Sequence, residues 1–197
     1  MTSSPSRRRI ILVRHGRVAD RYQGVCYGRS DVELSDEGRR QSDALAEELA
    51  ALPITHLMHS GLTRTRWLAE LIATRTAIAA CVAPGLVEFN FGQWELRAWQ
   101  DIFAEIGDTM NDLTRSPATF RPPSGETVHE MRDRVLAWYR ELPDEGLIVA
   151  VAHAGTIAAL RGSLAGVPAT EWPGLIPSYG QWIELDETQR PLVDGDC

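Results

Sequence analysis

The apolar positions of this chain fall into blocks whose period switches between that of a strand and that of a helix. Ile10-Ile11-Leu12-Val13 is a run of four apolar residues, three of them β-branched. Such a run, with no alternation, suits a strand buried on both faces, as in a parallel sheet under helices. Leu147-Ile148-Val149-Ala150-Val151 repeats the pattern late in the chain. Ser35 offers an N-cap for a helix from Asp36 to about Leu52, with acids in its first turn and Leu45, Leu49 and Leu52 on one face; Pro53 ends it. Thr55 to Met58 reads as a second strand, and Leu62 to about Thr76 as a helix with Leu68, Leu71 and Ile72 facing in. Ala77 to Val82 reads as a third strand, closed by Pro84-Gly85. A helix follows from Glu126 to Leu142, then an apolar helix from Thr156 to Leu164 and a last strand from Gln181 to Leu185.

The alternation fails in two places. Arg17 to Leu34 is rich in Gly, Tyr and polar residues without a clean period, which predicts a long loop, and long loops in compact domains tend to be functional. Leu86 to Pro123 holds Phe89, Phe91, Trp94, Trp99 and Phe103 with several acids and one expected helix, Glu95 to Ile106. That segment, about 86–123, is the candidate lid insertion. The rest predicts a three-layer α/β/α sandwich with a mostly parallel central sheet, in one domain spanning 1–197.

Composition changes the picture little. At 197 residues, 44% hydrophobic and 24% charged, the chain can bury a sizeable core. A net charge of −7 argues against nucleic-acid and membrane-surface partners. Cys26, Cys81 and Cys197 are widely spaced with no C-x-x-C pair, which favours a reducing compartment without a disulfide or zinc framework. With a polar, basic start that is expected to be frayed and no apolar run long enough for a signal segment or a membrane span, the expectation is a cytoplasmic protein.

The chemistry sits where the two buried strands end. Val13-Arg14-His15 and Ala152-His153-Ala154 each deliver a histidine, and open α/β sheets place ligands at the carboxyl ends of their strands. If the strands are neighbours, both imidazoles meet at one edge. Arg14 adds a guanidinium suited to bidentate phosphate binding, and Arg64, in the first turn of the helix after the second strand, can point to the same spot. Two arginines and two histidines make an anion site with a nucleophile in it. Each residue alone has a blander reading, Arg-His-Gly as a chance tripeptide and Arg64 as a solvated helix charge. A zinc site from His15, His59 and His153 is disfavoured by the arginines, which repel a cation.

Leu12-Val-Arg-His-Gly16, Asp31 to Gly38 with Gln41, Ser60-Gly-Leu-Thr-Arg64, Glu88 to Glu95, Gly125-Glu-Thr127 and Val151-Ala-His-Ala-Gly155 occur in one order. On these motifs the chain resembles the histidine phosphatase superfamily, with its phosphoglycerate mutase-like fold, over nearly its full length. The resemblance implies catalytic roles for His15, Glu88, Arg14, Arg64 and His153. His15 would take the phosphoryl group, Arg14, Arg64 and His153 would hold its oxygens, and Glu88, its pKa raised by Phe89, Phe91 or Trp94, would act as general acid and then base. It implies no cofactor and no metal.

Two departures stand out. Arg21 occupies a position where the family often has a phosphate-contacting Asn, either as a charged replacement or pointing away. Thr65-Arg66-Trp67 replaces Ala-x-Gln, with the loss of a helper contact as one consequence. The short interval between Glu88 and His153 favours a phosphatase over a mutase. Among phosphatases the chain looks most like those acting on α-ribazole 5′-phosphate in cobalamin nucleotide-loop assembly, with adenosylcobalamin 5′-phosphate as a related substrate. Tyr27, Trp94 and Trp99 would then form an aromatic wall, with Arg21 and Ala154 as further substrate contacts; equally, the aromatics are lid core. The alternatives are a broad small-molecule or sugar phosphatase, a phosphoglycerate mutase-like enzyme, and a phosphate-binding protein without turnover. The partner expected is a small phosphomonoester, with a homodimer left open.

Overall fold

A computed structural model describes residues 8–185. Of the frayed start expected over Met1 to Arg9, residues 1–7 lie outside the described residues, as does Cys197, whereas Arg9 opens the first strand. In chain order the elements are β1 (Arg9–Arg14), β2 (Val25–Cys26), α1 (Asp36–Ala50), β3 (Ile54–His59), α2 (Thr63–Thr76), β4 (Ala80–Val82), β5 (Arg97–Ala98), α3 (Trp99–Ile106), α4 (Asp112–Arg115), α5 (Val128–Arg140), β6 (Leu147–Ala152), α6 (Ala154–Ala165) and β7 (Trp182–Glu184). Short 3-10 turns join several of them.

The central sheet has the order β4-β3-β6-β1-β7, with β7 antiparallel to β1 at one edge and the other pairings parallel. β1 and β6 lie side by side in register, Arg9 opposite Leu147 and Arg14 opposite Ala152. The next residue of each strand, His15 and His153, therefore leaves the sheet at the same edge. Both strands are buried on both faces. Ile10, Leu12, Ile148 and Ala150 join a core with residues of α5 and α6, whereas Ile11, Val13, Val149 and Val151 join one with residues of α1 and α2. The sandwich has three layers, as expected, because strands without alternation can be satisfied only by helices on each side.

Element starts follow local hydrogen bonding. The Ser35 hydroxyl oxygen accepts from the Gly38 N–H at 3.0 Å and caps α1. α5 begins at Val128 rather than Glu126, because Thr127 is its N-cap in a reciprocal box with Glu130. Leu62 cannot cap α2 with its own side chain. Asp31 reaches across to accept from the Thr63 N–H and hydroxyl, both at 2.7 Å. The third strand is shorter than expected, because Ala77 adopts a left-handed φ of 58° to close α2.

The lid differs most. The helix expected from Glu95 starts at Trp99, because Glu95 is spent elsewhere: its carboxylate accepts from the Arg29 N–H, the Ser30 N–H and the Ser30 hydroxyl. Leu96 then takes a φ of 63°, and Arg97-Ala98 pairs with Val25-Cys26. The long loop is thus stitched to the lid by a two-strand ribbon. No helix among the described residues is long and apolar enough to cross a membrane.

Candidate active site

His15 is 2% exposed, at the carboxyl end of β1. Its Nδ1 lies 2.7 Å from the Gly16 carbonyl oxygen. A carbonyl can only accept, so Nδ1 carries the proton and Nε2 keeps a bare lone pair. Burial first, and then the charge of Arg64, holds the His15 pKa well below 6.5. The loop leaving His15 is pressed against the start of α1: a Cβ on Gly16 would sit 2.3 Å from the Gly38 carbonyl oxygen, and one on Gly38 would sit 2.0 Å from that of Arg17. Only glycine allows that approach.

Around this imidazole stand the other expected residues. Arg64 is fully buried and gives NH1 to the Ser30 carbonyl at 2.8 Å and NH2 to that of Gly28 at 2.6 Å. Arg14 gives NH1 to the Pro177 carbonyl at 2.9 Å and lies under the Tyr179 ring at 3.7 Å. Tyr27 covers Arg64 at 5.1 Å, and the two tyrosine hydroxyls are 2.8 Å apart. The His15 and His153 rings are 5.1 Å apart, and Nε2 of His153 lies 2.8 Å from the Ser60 Oγ. Three buried nitrogens nearby have no hydrogen-bond partner: Arg14 Nε, Arg64 Nε and His153 Nδ1. Buried polar atoms are rarely left so.

Glu88 is 8% exposed. Its carboxylate accepts from its neighbour Phe89 N–H at 2.9 Å and from Gly155 N–H, in the first turn of α6, at 3.2 Å. Its own carbonyl is gripped by two cations, Arg29 Nε at 3.1 Å and Arg134 NH2 at 2.9 Å. Both guanidiniums also bind the buried Glu126, which accepts the Asn90 N–H at 2.8 Å. This Arg–Glu–Arg clamp places Glu88, and no motif or period in the sequence marks either arginine. Gly125-Glu-Thr127 carried the one legible signal, since it names Glu126.

Arg14 and Glu88 line a cleft of about 700 Å³ that opens past Tyr22, Tyr27, Phe89, Phe91, Trp99 and Tyr179, whereas His15, Arg64 and His153 are buried and do not line it. Tyr27 and Ala154 line it. Two expected contacts do not. Arg21 is 67% exposed and paired with Glu33 at 2.5 Å, because the turn Asp20–Tyr22 carries it out to that carboxylate. Trp94 is 3% exposed and packs with Cys26 and Ile102 beneath the lid, so it is core. Trp99 and Tyr179 take the wall instead. His59 does not join His15 and His153, as its Nδ1 accepts from the Gly61 N–H at 3.1 Å. Among the described residues no group of three His, Cys, Asp or Glu could hold a metal ion.

The buried histidines have a consequence for stability. His153, like His15, is held well below 6.5, by burial first and then by Arg64. Between the lowered native pKa and 6.5, the unfolded chain binds protons that the native chain does not. Their contribution is therefore complete above that pH and lost as the pH falls below it, with a slope up to about 1.4 kcal/mol per pH unit for each residue. Urea unfolding between about pH 7 and pH 5 should show this loss, and His15→Asn should reduce the slope by about one residue's share. An unchanged slope in the variant would refute it.

Comparison with known proteins agrees with this geometry. A sequence profile of the histidine phosphatase superfamily (branch 1) matches residues 10–191. A protein of Erwinia tasmaniensis named Probable phosphoglycerate mutase GpmB is 30% identical, covering 93% of this chain and 87% of its own length. Mycobacterial glucosyl-3-phosphoglycerate phosphatase superposes with a TM-score of 0.78 at 28% identity, covering 90% of this chain and 89% of that one. The alpha-ribazole phosphatase of Shigella flexneri does so with a TM-score of 0.76 at 25% identity, covering 90% of each chain. The phosphoglycerate mutase-like α/β fold and the family match together establish that the chain belongs to the histidine phosphatase superfamily, branch 1.

Proposed function

We propose that the protein is a metal-independent phosphomonoester hydrolase that works through a phosphohistidine on His15. The observation that carries this reading is that Arg14, Arg64 and His153, the residues around the His15 imidazole, each keep one buried nitrogen without a hydrogen-bond partner, beside a ring whose Nε2 is bare. A phosphoryl group is the ligand whose oxygens would satisfy the two arginine nitrogens, and it would meet His153 at Nδ1. His15 Nε2 attacks phosphorus as the ester P–O bond breaks, and Glu88 gives its proton to the departing oxygen. Water then attacks the phosphohistidine while Glu88 takes a proton from it, which frees phosphate and restores both groups.

The cleft narrows the substrate. Its wall beyond the phosphate end is largely aromatic, which suits a flat apolar group behind the phosphate. α-Ribazole 5′-phosphate has that form, and one structural relative bears the name alpha-ribazole phosphatase. One observation favours a second reading. Arg17 lines the same cleft, and although its NH2 pairs with Asp20 at 3.0 Å, it can turn its charge to an acidic ester of the phosphoglycerate type.

Phosphate release from α-ribazole 5′-phosphate, 3-phosphoglycerate and fructose phosphates, with chelator throughout, separates these. We expect α-ribazole 5′-phosphate to be preferred by about 10- to 100-fold in kcat/KM, the range that apolar contacts supply. A preference for the glycerate would favour the Arg17 reading. Flat, weak turnover would withdraw the substrate, and phosphate binding without turnover would make this a binding protein.

A further inference from the structure

The hydroxyls behind His153 form a chain whose direction is fixed. Thr65 Oγ1 lies 2.8 Å from the Leu62 carbonyl oxygen, to which it can only donate. Its lone pairs are then what it offers Ser60, whose Oγ is 2.8 Å away, so the Ser60 hydroxyl donates to Thr65. Ser60 Oγ already accepts the Leu62 N–H at 3.3 Å. Its one remaining role is to accept from His153 Nε2 at 2.8 Å. Nε2 therefore carries the proton of the neutral ring, and Nδ1, buried and unpartnered, carries a lone pair.

A lone pair is the wrong partner for a phosphate oxygen. We infer that Ser60 and Thr65 are positioning residues which lock His153 with its proton on Nε2, so that binding a phosphoryl dianion takes one proton from solvent onto Nδ1. The doubly protonated ring then donates to the anion through Nδ1 and to Ser60 through Nε2, and adds a third positive charge to those of Arg14 and Arg64. This rests on the phosphohistidine reading of the site.

Electrostatics agree with that order of events. Without an anion, the groups facing His153 are mostly cationic or neutral: Arg64 from α2, His15 and Arg14 from the end of β1, and Arg134 from α5. Among the described residues, Glu88 is the acid that reaches α6, at the Gly155 N–H. Burial and these cations keep the ring neutral. An arriving dianion reverses the sign of the local field and favours the proton. Glu88 and the bare Nε2 of His15 are the competing acceptors for it, and the test separates them from His153.

Two measurements decide the matter. In the ligand-free protein, the nitrogen-15 signals of His153 should show the Nε2–H tautomer; an Nδ1–H tautomer overturns the inference without any variant. The second uses inorganic sulfate, a tetrahedral dianion that stays unprotonated near neutrality, as a competitive inhibitor of p-nitrophenyl phosphate hydrolysis. Above about pH 7 its inhibition constant should weaken close to tenfold per pH unit, the slope that one-proton uptake requires. Thr65→Val, which cannot accept from Ser60, should flatten that slope, Thr65→Ser should restore it, and Glu88→Gln should keep it. A flat wild-type slope overturns the inference, as does any slope that survives Thr65→Val: one that then vanishes in Glu88→Gln puts the proton on Glu88, and one that survives both puts it on His15. Failure of sulfate and phosphate alike to inhibit would sink the phosphate site itself, and this inference with it.

Discussion

Replacing His15 with alanine is expected to lower turnover by about 10⁴-fold or more, the scale of loss when a covalent nucleophile is removed from other hydrolases. The site leaves no understudy. His153 is 5.1 Å away ring to ring, but its free nitrogen, Nδ1, is the one that the phosphate oxygens need. His59 is turned to the Gly61 N–H. The loss should therefore appear in kcat for activated and unactivated esters alike, because both pass through the same intermediate. Rapid acid-free quenching with labelled substrate should trap phosphate on the wild-type protein and none on the variant. His15 is buried, so its removal leaves a hole beside Gly16. The ring it removes lies 5.6 Å from that of Tyr179, a residue of the cleft wall, and the strand before it, Ile10 to Val13, keeps its packing. Circular dichroism should stay native while phosphoryl transfer disappears. Substantial turnover in a folded variant would overturn the nucleophile assignment.

The sheet edge was legible for a physical reason. Strands buried on both faces leave a run of apolar residues, and two such runs ending in histidine fix where the ligand goes once β1 and β6 pair. Glu88 was reached through its motif rather than through any period, since it lies in irregular chain. The lid was misjudged because its boundaries depend on distant partners. Glu95 has helix-forming propensity, yet its carboxylate satisfies the 29–30 backbone, and that tertiary demand overrides the local one. Arg21 reads as a possible phosphate contact only while Glu33 is out of view. Trp94 and Trp99 have the same side chain, five positions apart, and only packing reveals that one is core and the other wall. Thr65 shows the limit in the opposite direction. The triplet Thr65-Arg66-Trp67, as a departure from the family pattern, suggests a lost contact, whereas the folded chain gives Thr65 a partner in Ser60.

The second large effect separates acid catalysis from binding. Glu88→Gln keeps the size of the side chain and can still accept the Phe89 or Gly155 N–H through its amide oxygen, so the loop should hold its place. The clamp on the Glu88 carbonyl does not involve the side chain at all. What the variant loses is the proton. For an alkyl phosphate the departing alkoxide is strongly basic and needs protonation as the bond breaks, so kcat should fall by about 10²- to 10⁴-fold, the usual range for general acid catalysis. A p-nitrophenolate leaves unassisted, and its first step should slow by less than about tenfold. Its overall turnover is then set by hydrolysis of the phosphohistidine, where Glu88 serves as base. A burst of p-nitrophenol, one per site, followed by slow steady release is the expected trace. The burst tests both halves of the role in a single experiment, because it requires a working nucleophile, a dispensable acid and a missing base. Equal slowing of both esters without a burst would mean that Glu88 shapes the pocket and moves no proton.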